Sequence, residues 1–175
     1  VVAIGECGLG ALFYLIPDQV KELTPSFCVS KDYDRLSLCS KEIQLRHFPT
    51  QLALATRFEL PLFLHCRHPE AHIDFVKIIK EYNRAMELSG QAKLRGVVHS
   101  HSGSLEEALE MIELGFMIGI NGCSLKTDAN LECVRALPLS SLLVESDCPY
   151  CDIRPSHSSH TFLSSLPPHL STLYL

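Results

Sequence analysis

Residues 60–66 read LPLFLHC, an unbroken apolar run that closes on an imidazole and a thiol. A run that is apolar at consecutive rather than alternate positions predicts a strand buried on both faces. Four more runs share its character: VVAIG (1–5), GVVHS (96–100), FMIGI (116–120) and LLVES (142–146). Helical spacing fills the stretches between them. Ile73, Val76, Ile79, Tyr82 and Met86 recur on one helix face, and Leu105, Ala108, Met111 and Ile112 on another. Buried strands alternating with amphipathic helices predict a parallel α/β sheet.

The helix boundaries are legible too. Ser104 and Glu107 have the spacing of a capping box, and Thr127 or Asp128 is expected to open a helix running to about Leu137. Ser89-Gly90 is expected to close the helix that precedes GVVHS. A helix over 41–58 carries Pro49 in mid-pattern. A kink or break is expected there, because an interior proline costs about 3 kcal/mol or more. Residues 10–31 and the Ser-, Pro- and His-rich tail from Ser156 lack this rhythm and are expected to be poorly ordered or loosely docked.

The 175 residues, 46% of them hydrophobic, fit one domain with a full core. A net charge of −5 argues against non-specific nucleic-acid binding, which rests on Lys and Arg neutralising phosphates. It leaves room for an enzyme that meets phosphate through bound cations. The sequence shows neither an uncharged apolar run of about 18 residues nor the flanks of a signal peptide. An intracellular protein with no membrane partner, in nucleus or cytoplasm, is therefore expected. The eight cysteines lack the spacing of a disulfide framework and read as reduced thiols. Cys148-Pro-Tyr-Cys151 is a lone CxxC, more simply two incidental thiols than a redox or zinc motif.

Chemistry gathers at the C-terminal ends of the runs: Glu6, His65, His99 and Asp147. In parallel α/β folds those ends share one face, where active sites are built. Imidazole with carboxylate suits Zn, Mn or Mg, and a bridging carboxylate holds two ions a few ångströms apart. Taken singly, the histidines read as hydrogen-bonded strand ends and the acids as helix caps. Four such residues on one face favour the metal reading. His101 reads either as a loop residue near substrate or as a solvated one. His47, His68, His72, His157, His160 and His169 are most simply solvated.

AIGECGL, PLFLHCR, GVVHSHSGS, LGFMIGINGCSLKT and LLVESDCPY, in this order, resemble the TatD family of metal-dependent deoxyribonucleases, particularly its animal members. The resemblance covers residues 1–9 and 32 to about 157. It implies an incomplete TIM-type (β/α) barrel of parallel strands over 1–157, metallo-dependent hydrolase-like, followed by an irregular tail over 158–175. It further implies two divalent ions, Mg, Mn or Zn, and hydrolysis of phosphodiester bonds with DNA as substrate. Glu6 would bridge the ions, His65 and His99 would bind one of them, and Asp147 would bind metal and help activate water. Arg67 would neighbour a phosphate unless it serves in a surface ion pair, and Asn121 belongs to a G-I-N-G loop on the same face.

Two departures from the family pattern matter. Family members begin with a strand carrying a His-x-His pair, and the sequence contains no such strand, so an open barrel holding fewer ions is expected. The family also places an aspartate after Gly-Leu; joining Leu9 to Asp32 restores it as GECGLDYDRL. Residues 10–31 therefore read as an insertion and Asp32 as a displaced residue that supports the ligands. A catalytically silent binding isoform and a metal-dependent amidohydrolase stand as the alternatives.

Overall fold

The computed structural model describes residues 2–9, 40–148 and 150–160. Five strands pair in parallel in the order of the chain. They are β1 (Ile4–Leu9), β2 (Leu62–Cys66), β3 (Gly96–His99), β4 (Phe116–Ile120) and β5 (Leu142–Val144). Helices α1 (Lys41–Arg57), α2 (Pro69–Leu88), α3 (Leu105–Glu113) and α4 (Asp128–Ala136) stand between successive strands. A doubly wound sheet reverses its strand order partway, whereas a (β/α) barrel adds each strand beside the last. The unbroken order is that of a barrel arc.

Period-two alternation divides the sheet. Leu62, Leu64, Val98 and Ile118 face the helices and are buried with Phe48, Leu52, Phe75, Ile79 and Met111. Phe63, His65, Val97 and His99 take the other face, where Phe63 stacks on the His99 ring at 4.7 Å. The imidazoles thus sit on the face away from the main core.

The caps form as the sequence predicts. Ser104 Oγ accepts from Glu107 N while Glu107 Oε2 accepts from Ser104 N, and Thr127 Oγ1 accepts from Asn130 N to open α4. Past the C-terminal cap of α2 at Ser89, Gly90 adopts φ 69°, the left-handed conformation that favours glycine.

Several expectations are corrected. No break occurs at Pro49: α1 continues through it from Lys41 to Arg57, with Phe48, Gln51 and Leu52 buried around it. The proline itself is exposed, so water can replace the hydrogen bond it cannot donate. Glu6 lies within β1 rather than beyond its end. The last apolar run is strand only to Val144, leaving Glu145 to Asp147 in the connection that follows. His157 and Ser159 are buried, and Ser158 N donates to Lys126 O, so the first residues of the expected tail dock on the fold. His68 is exposed at the start of α2, as expected, and accepts there from Glu70 N. His72 Nε2 lies 3.0 Å from Glu110 Oε2. Residues 10–31, Asp32 and residues 161–175 lie outside the described residues.

Candidate metal centre

β2 and β3 place His65 directly opposite His99 in register, so both imidazoles rise from the same face. β1 reaches them through a local irregularity. Its register against β2 shifts between Ile4 and Cys7, and Glu6 lies in the shifted stretch. Such bulges re-aim side chains beside functional sites. Glu6 Oε1 comes to 2.9 Å from His65 Nδ1 and 2.8 Å from His99 Nε2, while the two nitrogens are 2.8 Å apart.

Protons alone cannot satisfy this triangle. An imidazole nitrogen carries either one N–H or one lone pair. If both nitrogens donate to the carboxylate, their N–H groups oppose each other; if one is a lone pair, it faces the carboxylate's lone pairs. A cation among the three satisfies every edge at once. Octahedral ligands bound at about 2.0–2.1 Å are spaced about 2.9 Å apart, which matches the observed edges. Among the described residues, this is the group of His, Cys, Asp and Glu placed to share an ion.

Electrostatics prepares the group for a cation. Burial alone raises the Glu6 carboxyl, but the His65 and His99 imidazoles outweigh it and hold the group at about 2. Burial alone lowers His99, but the Glu145 and Glu6 carboxylates beside it outweigh that and lift it to about 9. The imidazolium must therefore lose its proton before the nitrogen can bind metal. Divalent-ion affinity should climb about tenfold per pH unit just below about 9 and level off above it. Glu6 is already ionised throughout that range and adds no slope. Calorimetric titrations across this range, repeated in buffers of different ionisation heat, would count the proton released.

Glu145 is the neighbour that sequence reasoning missed. Its Oε2 stands 3.5 Å from His99 Nδ1, and its Oε1 accepts from Ser100 N. The signal lies in the sequence, because Glu145 belongs to the LLVES run, two residues before Asp147. Gly119 makes the approach possible: a Cβ there would lie 2.9 Å from Glu145 Oε1 and 3.0 Å from His99 Cα. Glu145→Gln should weaken metal binding by about 10–100-fold, the usual loss when a ligand's outer partner is removed. It should also lower the His99 pKa, which NMR titration of the imidazole would read.

The remaining candidates lie outside the triangle. Asp147 does not join the triangle; its Oδ2 accepts from Cys151 Sγ at 3.1 Å. Arg67 Nη2 donates to Ser100 Oγ at 3.4 Å. His101 is buried, with Nε2 3.2 Å from Ser104 O, and burial pushes its pKa down. Arg67, His68 and His101 line a cavity of about 370 Å³ between the loops after β2 and β3. Asn121 holds the 3-10 turn at Gly122–Leu125, its Oδ1 accepting from Cys123 N.

Residues 1–163 match the family described as TatD related DNase. The chain belongs to that family. Within the TatD family, "Deoxyribonuclease Tat-D" of Schizosaccharomyces pombe is 46% identical over 134 residues, covering 77% of this chain and 40% of that protein. A TatD family hydrolase of Entamoeba histolytica superposes with a TM-score of 0.68 at 30% identity, covering 95% of this chain and 46% of that one. An uncharacterized amidohydrolase of Saccharomyces cerevisiae gives a TM-score of 0.66 at 33% identity, covering 76% of this chain and 42% of that one. The chain spans about half the length of the curated TatD relatives it matches.

Proposed function

We propose that this chain carries the metal centre of a TatD-type deoxyribonuclease and takes part in hydrolysing phosphodiester bonds of DNA. The triangle of Glu6, His65 and His99, whose contacts only a cation satisfies together, carries this reading. The names of the curated relatives support the substrate. Mg, Mn or Zn fits the mixed nitrogen and oxygen donors. When bound, such an ion supplies Lewis acidity and positive charge against phosphate, which a chain of net charge −5 otherwise lacks.

In this reading Glu6 would hold a cation through an anionic carboxylate oxygen, and His65 and His99 would hold it through neutral nitrogens. Arg67, at the edge of the neighbouring cavity, offers forked N–H donors to the non-bridging phosphate oxygens. His101 contributes to the wall of that cavity, and Asn121 shapes the loop after β4. Asp147 accepts the proton of the attacking water, the role of a general base. The six free thiols among the described residues support a reducing, intracellular setting in nucleus or cytoplasm. No helix among the described residues is long and apolar enough to cross a membrane.

The purified protein, supplied with Mg or Mn, is expected to release nucleotides from end-labelled DNA. Asp147→Asn should lower turnover by about 10²–10⁴-fold, the usual contribution of a general base, without changing the far-UV circular dichroism. Full turnover in that variant would remove Asp147 from the reaction. Hydrolysis of a cyclic amide with DNA left intact would overturn the phosphodiester reading.

A further inference from the structure

Sequence proximity pairs Cys148 with Cys151, but the fold gives Cys151 a different neighbour. Cys123 Sγ, in the turn after β4, lies 3.0 Å from Cys151 Sγ, in the segment after β5. The backbones meet at the same place, for a Cβ built on Gly122 would run into the Cys151 carbonyl oxygen. Cys148 is exposed, and its backbone N–H is directed at Ser146 Oγ. The Cys151 thiol also donates to Asp147 Oδ2 at 3.1 Å and approaches Ser100 Oγ at 3.8 Å. The thiol pair therefore adjoins Asp147 and Ser100, the residue that follows His99.

We infer that Cys123 and Cys151 form a reversible disulfide site that responds to peroxide. Cys123 is half-buried and meets the oxidant first, whereas Cys151 is only 8% exposed. The Cys123 sulfur attacks the O–O bond of hydrogen peroxide, giving a sulfenic acid and one water. The Cys151 sulfur then displaces the hydroxyl, which leaves as a second water as the S–S bond forms. Two electrons pass from the thiols to the peroxide, and both thiol protons end in water. The bond ties the turn after β4 to the segment after β5. It also removes the S–H donor from which Asp147 Oδ2 now accepts, so the oxidised protein has a changed environment around that carboxylate.

Peroxide treatment of the full chain, followed by peptide mapping under non-reducing conditions, tests the inference. The expected result is a Cys123–Cys151 link, the loss of two titratable thiols and full recovery of both with dithiothreitol. Cys148→Ser should leave the link intact, and Cys123→Ser should abolish it. Wild-type mapping decides even where a cysteine variant folds poorly. A Cys148–Cys151 link overturns the inference, as does Cys123 oxidised to sulfinic acid with Cys151 still a thiol, or no loss of thiols at all.

Discussion

Glu6→Gln is expected to weaken divalent-ion binding by more than the roughly 10–100-fold typical of losing an outer partner, while the fold stays intact. Glu6 Oε1 is the atom both imidazoles approach, at 2.9 and 2.8 Å. Glutamine keeps the shape and removes the negative charge. Two effects then oppose each other. His99 loses one of the carboxylates that hold its proton, which eases metal entry. The ion itself loses an anionic ligand, and this term dominates: a dication about 2 Å from the carboxylate gains more Coulomb energy than an imidazolium further away. Calorimetric titration with Mn or Zn on either side of pH 9 separates the two effects, and a melting curve of the metal-free protein checks the fold. Unchanged affinity would show that the triangle does not hold the ion.

Phe75→Ala is expected to cost about 3–5 kcal/mol, a large share of the roughly 5–15 kcal/mol that holds a domain of this kind together. Phe75 is fully buried on α2 and stacks against Phe48 of α1, ring centroids 5.0 Å apart. α1 in turn packs on β1, which carries Glu6. The cavity left by alanine therefore loosens the seam that supports β1, and metal affinity should fall with stability. Urea unfolding followed by circular dichroism measures the loss. A cost under about 1 kcal/mol would mean that neighbouring side chains collapse into the space.

The apolar runs and the helical spacing between them were enough to predict a parallel α/β sheet, because strand burial and helix amphipathicity repeat over a few residues. The capping box at Ser104 and the cap at Thr127 were legible for the same reason, since each bond closes within three residues. His65 and His99 were readable as strand-end residues, and the register that pairs them follows from equal placement in two similar runs.

What sequence left open depends on separation along the chain. Glu6 meets His99 across 93 positions, through an irregularity in β1 that no local pattern announces. Glu145 rather than Asp147 reaches His99 because β5 ends at Val144, a boundary set by pairing with β4. Cys151 turns from its sequence neighbour Cys148 to Cys123 because the connections after β4 and β5 press together. α1 runs unbroken through Pro49 because buried residues on both sides of the proline hold the helix against the sheet. Sequence by itself determined which stretches are strand or helix, since these follow from periodicity over one or two turns; it did not determine burial, for Ile73 and Val144 are exposed and His157 is buried. Only the tertiary structure decided which polar side chains meet, because strand register and loop packing bring together atoms that lie far apart along the chain.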